Sequence, residues 1–240
     1  MDFLKKYEQY SNLITIKDLP LILRIDGRSF SNYTKKLKLE KPFDSRLRDI
    51  FIEVSKDLLK EFSTKYIYTF SDEINILLET VPFNGRIEKI DSVFASFVAG
   101  SFMKHLFMNA DYFEVDLSEL DNVSFDCRII TTANHIKDYF KWRQDEAWRN
   151  CLNSYAQFIL NKTYDSDVTA QKLYKLNKNQ VHDLLFQNGI NIAHVPTWQK
   201  RGFAVYKKEY EIKGINPKTN ETVISYRTKP YIDLELNLFK

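Results

Sequence analysis

Only two cysteines occur in the 240 residues, Cys127 and Cys151, and neither sits in a CxxC or near a His at ligand spacing. That scarcity excludes a disulfide framework and a zinc-finger type of site, and the reducing cytoplasm is the simplest home for the chain. Glycine and proline are equally sparse, six of each, which removes collagen-like and low-complexity classes. Loops must therefore be read from polar clusters. No apolar run is long enough to span a bilayer; the longest, residues 92–103, is bounded by Asp91 and Lys104 and reads as a buried helix. The opening Met1-Asp2-Phe3-Leu4-Lys5-Lys6 has neither an apolar signal core nor an Arg/Ser-rich transit pattern, so no membrane association is expected. A large excess of charge of one sign is missing too. A formal net charge of +3 announces no polycation, yet it suits an enzyme of anionic substrates. The four histidines, His105, His135, His182 and His194, are scattered and are read as packing or surface residues.

Apolar and aromatic residues are abundant. The chain is 44% hydrophobic with 18 Phe and 14 Tyr, enough for one full core with or without an appendage. Residues 21–25 form an apolar run after Pro20 that ends at Asp26-Gly27, a buried strand running into a turn. Between 44 and 62, Leu47, Ile50, Phe51, Val54, Leu58, Leu59 and Phe62 recur at helical spacing, with Asp44 or Ser45 as N-cap. Two short strands, 66–69 and 74–78, flank Ser71-Asp72-Glu73; a helix over 87–108 and a strand over 124–132 follow. This order predicts an α+β, ferredoxin-like split βαβ arrangement. Residues 135–160 read as a long amphipathic helix, 161–167 as a polar linker and 179–186 as a shorter helix. Strand-like runs at 203–206 and 222–226 surround a turn region at 214–220. The expected division is a catalytic part, 1–134, and a helical and β-hairpin extension, 135–240, packed on it.

In the split βαβ topology the first and third strands are antiparallel neighbours, so the end of the first lies beside the turn that begins the third. Asp26 holds one of these places and Asp72 the other, which brings two carboxylates to one rim. Hard cations such as Mg²⁺ bind carboxylate oxygens and keep open positions for water and substrate phosphates. Asp-Gly is also an ordinary turn dipeptide, and placement alone leaves both readings open.

Arg24-Ile25-Asp26-Gly27-Arg28-Ser29-Phe30, followed by Phe70-Ser71-Asp72-Glu73, resembles the signature of the tRNA(His) guanylyltransferase family, the 3′-to-5′ nucleotide polymerases. Further resemblances fall in order: Lys41-Pro42-Phe43-Asp44-Ser45-Arg46, Arg86-Ile87-Glu88-Lys89, Phe125-Asp126-Cys127-Arg128 and Asp138-Tyr139-Phe140-Lys141-Trp142-Arg143-Gln144. The match covers roughly residues 20–155. It implies a palm domain as in polymerases and nucleotidyl cyclases, with two Mg²⁺ held by Asp26, the Gly27 carbonyl and Asp72, and with Glu73 beside them. It also implies that Arg24, Lys41, Ser71, Arg86 and Lys89 contact nucleotide phosphates. ATP, GTP and other nucleoside triphosphates would be substrates, tRNA the partner, and a homotetramer the assembly.

One stretch and one position depart from the tRNA(His)-specific eukaryotic pattern. Trp148-Arg149-Asn150-Cys151 stands where those members have His-Ile-Asn-Asn, keeping only one Asn, and Ser31 where they often have His. In this the chain looks more like the guanylyltransferase-like proteins that repair truncated tRNA 5′ ends against the opposite strand. The expected activity is therefore templated 3′-to-5′ addition. The alternatives are addition of one G to tRNA(His), nucleotide cyclisation on the same two-carboxylate palm, and a catalytically silent RNA-binding protein.

Overall fold

The apolar run after Pro20 forms strand β1 (Leu21–Gly27), and in the computed structural model described here, which covers residues 2–16, 18–215 and 222–237, every later strand is placed relative to it. A short helix α1 (Phe30–Lys36) leads to α2 (Ser45–Glu61), strands β2 (Thr64–Phe70) and β3 (Glu73–Leu78), helix α3 (Ile87–Met108) and strand β4 (Phe125–Thr131). The sheet order β4-β1-β3-β2 with antiparallel neighbours is that of the split βαβ arrangement. Two more strands, β5 (Phe203–Ile215) and β6 (Thr222–Asp233), extend the β2 edge of the same sheet, so the tail hairpin completes a six-stranded sheet.

Alternation along β1 explains the layers. Leu21, Leu23 and Ile25 point to one face and pack with Ile50, Phe51, Val54 and Leu58 of α2 and Phe94, Val98 and Phe102 of α3. Ile22 points the other way and joins Tyr66, Tyr68 and Leu77 beneath Tyr139, Phe140 and Ala147 of helix α4 (Ile136–Leu160). Both faces of the central strands are thus covered, which accounts for their nearly unbroken apolar character. The far half of α4 leaves the sheet and builds a third cluster around Cys151, Leu152, Ala156, Val181 and Leu185. It does so with α5 (Ser166–Tyr174), α6 (Lys178–Gln187) and α7 (Thr197–Arg201) nearby. Among the described residues, no helix is long and apolar enough to cross a membrane.

Several boundaries differ from the sequence expectation. The linker expected at 161–167 ends earlier, because Asp165 caps α5 by accepting from the Val168 N–H at 2.8 Å. Strand β5 runs nine residues beyond position 206, to Ile215. Its sequence after Val205 is largely polar, and there it pairs with β6 alone through the backbone ladder. Of the turn region expected at 214–220, Gly214 and Ile215 belong to β5 and 216–220 lie outside the described residues.

Helices α2 and α3 are also tied by charge. Asp57 accepts from Ser101 Oγ at 2.7 Å, lies 2.9 Å from His105 Nε2 and pairs with Lys104. Burial raises the Asp57 carboxyl, but hydrogen bonds from Lys104, Ser101 and His105 outweigh burial and hold it at about 2. A depressed carboxylate stabilises the fold above its unfolded value and loses that contribution as pH falls through the folded one. Acid titration is therefore expected to lower the melting temperature between about pH 4 and pH 2, and Asp57→Asn to flatten that part of the curve. An unchanged curve in the variant would remove this tie from the stability of the α2–α3 layer.

Candidate active site

β1 ends at Asp26-Gly27, and β2 turns into β3 through two residues, Ser71 and Asp72, with Ser71 at φ 56. A positive φ at the first turn position gives a two-residue connection the twist that antiparallel strands need. The register places Asp26 opposite Glu73 on β3 and opposite Asp126 on β4. Residues paired across antiparallel strands share a face, so three carboxylates stand in a row across the sheet on the side covered by α4. Asp72 joins them from the turn: its Oδ2 lies 2.9 Å from where a Cβ on Gly27 would be, and Phe30 Cδ2 lies 2.7 Å from the same point. Gly27 is the residue that lets the two aspartates converge. Gly27→Ala must displace either the Asp72 carboxylate or a buried aromatic ring. It is expected to cut transfer by about 100-fold in an otherwise folded protein, a loss proper to misplacement by about 1 Å. Wild-type turnover by this variant would show that the Asp72 position is not critical.

The electrostatics carry the mark of this crowding. Burial, the Asp26 carboxylate and Glu73 push Asp72 up to about 6, against hydrogen bonds from its own backbone N–H and from Ser71. Asp26 is raised as well, by burial first and then by Glu73 and Asp126, with Arg128 and Arg24 pulling the other way. Glu73 is differently placed. Arg143 of α4 donates to both its oxygens, Nε to Oε1 at 2.8 Å and a terminal nitrogen to Oε2 at 2.5 Å. Asn75 Nδ2 adds a third bond at 2.7 Å, and Tyr139 O–H donates to Asn75 Oδ1 at 2.6 Å. The oxygens of Glu73 are committed to the protein, which leaves Asp26 and Asp72 as mutually repelling, hard oxygen donors. Such a pair, with the backbone carbonyl of Gly27 adjacent, fits a divalent cation that retains water and phosphate ligands.

These groups open on a cavity of about 810 Å³. Of the residues expected from the sequence, Asp26, Gly27, Lys41, Ser71, Asp72 and Glu73 line it together. Lys41 is brought there by the segment before α2. Asp44 anchors that segment by accepting from the backbone N–H of Glu40 and of Arg46, both at 2.8 Å, and from the Arg46 side chain. Burial raises the Asp44 carboxyl, but these hydrogen bonds prevail and hold it below the usual range. Arg24 sits two residues inside the rim, between Asn75 and Arg128, and does not line the cavity. Arg86 and Lys89 do not line it either. They open α3 after β3 has run away from the Ser71-Asp72 turn, where residues 13–15 are bonded to Gly85 and Ile87. Arg143, Arg48 and Trp198 line the cavity although sequence reasoning gave them no site role, and so do Asn150, Asn153 and Gln157 of α4. The signal for the α4 group was available: 143, 147, 150, 154 and 157 recur at helical spacing.

Comparison with known proteins gives concordant results. The family model for tRNAHis guanylyltransferase (Thg1) matches residues 1–133. A tRNA(His) guanylyltransferase of the yeast Debaryomyces hansenii is 27% identical over 218 residues, 88% of this chain and 80% of the relative. Among solved structures, a bacterial tRNA(His) guanylyltransferase (Thg1)-like protein in complex with ATP superposes with a TM-score of 0.75. It is 27% identical, covering 98% of this chain and 91% of that one. A GTP complex of a bacterial protein so named gives 0.71 at 28% identity, over 98% and 90%.

Proposed function

Since the chain belongs to the tRNA(His) guanylyltransferase family, we propose that it adds nucleotides to the 5′ end of truncated tRNA, in the 3′-to-5′ direction and against the opposite strand as template. The observation that carries this reading is the convergence of Asp26, Gly27 and Asp72 on one rim of the sheet, in one cavity with Lys41. In the proposed reaction the 3′-hydroxyl of an incoming nucleoside triphosphate attacks an RNA 5′ end activated as a triphosphate or an adenylylated monophosphate. A phosphodiester forms, and pyrophosphate or AMP leaves.

Asp26, Asp72 and the Gly27 carbonyl would hold two Mg²⁺ ions, which when bound supply charge neutralisation at the attacking and leaving oxygens. The other parts are the chain's own. Lys41 presents a point charge to phosphate, while Arg143 holds Glu73, and with it the start of β3, in place. ATP and GTP complexes of the bacterial Thg1-like proteins support nucleoside triphosphates as ligands here. Arg24, Arg86 and Lys89 remain proposed phosphate contacts outside that cavity. A homotetramer and a cytoplasmic location belong to the same proposal; the two free thiols suit the second.

Addition of a single G to tRNA(His) is the second reading, favoured by the names of the curated relatives. Of the positions at which the sequence departs from that specificity, Ser31 lines the cavity, which supports repair instead. Incubation with Mg²⁺, ATP and all four nucleoside triphosphates separates the readings. Labelled tRNAs lacking the first acceptor-stem nucleotide are expected to regain it, whichever amino acid they accept. Extension confined to intact tRNA(His) establishes the second reading. Triphosphate turnover with no RNA extended points to a cyclase.

A further inference from the structure

The cavity is longer than the carboxylate cluster requires. Arg143 touches Glu73 at one end, and Gln157, fourteen residues further along α4, lines the other. At 1.5 Å per helical residue the α4 wall spans about 21 Å, more than one nucleotide needs. Its second half exposes the amides of Asn150, Asn153 and Gln157, and among the described residues none of these three side chains has a hydrogen-bond partner. The opposite side of the same helical stretch, Cys151, Leu152, Ala156 and Ile159, is buried in the helical cluster. The amides are therefore fixed in direction by a rigid helix while remaining unpaired.

Phe43, Trp198 and Arg48 line the same cavity. Phe43 and Trp198 stand edge to face with centroids 6.4 Å apart, and the Arg48 guanidinium lies 4.8 Å from the Trp198 ring. Aromatic and guanidinium planes accept stacked bases of any identity, whereas Asn and Gln amides hydrogen-bond base edges and ribose hydroxyls. Apolar peptides or lipids would leave three unpaired amides buried, so the lining disfavours them.

We propose that this half of the cavity, walled by Asn150, Asn153 and Gln157 and also lined by Phe43 and Trp198, is a track for the RNA strand behind the reacting 5′ end. The proposal rests on the 3′-to-5′ addition reading above and assigns the RNA, not the incoming triphosphate, to the α4 wall.

The test compares wild-type protein with the pair Asn153→Ala, Gln157→Ala, whose side chains are exposed. The RNA substrate is a 5′-triphosphorylated stem–loop with a recessed 5′ end. Losing two amide contacts is expected to raise KM for the stem–loop about tenfold. KM for the nucleoside triphosphate and kcat at saturation should stay within about twofold. Asn153→Asp with Gln157→Glu should raise the stem–loop KM further, because carboxylates repel the backbone phosphates. Equal stem–loop KM in both proteins overturns the track. So does an increase confined to the nucleoside triphosphate, which would place the incoming nucleotide on α4. Failure of the wild-type protein to extend any RNA would instead overturn the function on which the track depends, and the two failures are thereby distinguishable.

Discussion

Asp72→Asn is expected to abolish nucleotide transfer and, in metal-free buffer at neutral pH, to raise the melting temperature. Both effects follow from the same carboxylate. Its folded value is about 6 against an ordinary value of 3.8, so between those pH values the folded state binds more protons than the unfolded one. Stability then falls as pH rises through that window and stays lower above it, by about 3 kcal/mol for a shift of about two units. Asparagine removes the repulsion with Asp26 and Glu73, and for a domain of this size each kcal/mol corresponds to about 2–4 °C. Transfer should fall by roughly a thousandfold or more, since metal-borne charge stabilisation amounts to several kcal/mol of barrier. Thermal melts from pH 4 to 8 and a transfer assay on one preparation check both signs. A variant that melts lower than wild type at pH 7, or that keeps its activity, contradicts the electrostatic picture of the rim. Excess Mg²⁺ should raise the melting temperature of the wild type and leave the variant largely unmoved.

Arg143→Ala is expected to be the most destructive substitution outside the two aspartates. The Arg143 and Glu73 side chains are only 13% and 16% exposed, so the change strands a carboxylate beside Asp26 and Asp72 without the guanidinium that grips both its oxygens. Breaking one partner of a buried pair costs about 3–5 kcal/mol. It also frees the first residue of β3, next to the Ser71-Asp72 turn, and a displacement of about 1 Å there corresponds to roughly a hundredfold in rate. Adding Glu73→Gln to the Arg143→Ala protein should recover much of the lost stability, because the unpaired charge disappears. Recovery of stability without full recovery of rate identifies the pair as a positioning device. If Arg143→Ala melts like wild type and turns over normally, Glu73 is free to act on its own as a metal ligand.

The rim itself was legible in the sequence. A buried run that ends at Asp26-Gly27, and a two-residue turn at Ser71-Asp72 between apolar runs, are local patterns, and the βαββαβ order then fixes which ends meet. The Asp44 cap was equally readable, because its partners lie within four residues. Harder to read was anything set by contacts distant in sequence. Glu73 stands beside the two aspartates, and nothing local shows that Arg143, 70 positions away, donates to both its oxygens. Arg86 and Lys89 share a helix start, as their spacing indicates, yet that helix follows a strand leading away from the rim. The topology contained this information, but the motif did not. The length of β5 was hidden for a different reason. Beyond Val205 its side chains are mostly exposed, so no period-two burial pattern marks a strand that backbone hydrogen bonds to β6 hold in place. Helix α5 begins within polar residues and buries only Thr169, too little for an amphipathic signal.

Templated addition at a 5′ end is tested most directly by changing the base opposite the gap. A tRNA lacking its first acceptor-stem nucleotide is offered with each of the four bases at the opposing position, with Mg²⁺, ATP and an equimolar mixture of nucleoside triphosphates. The nucleotide added is expected to be the complement in each case, with Asp72→Asn adding none. Incorporation of G whatever base stands opposite, or extension that is unchanged in Asp72→Asn, would contradict it.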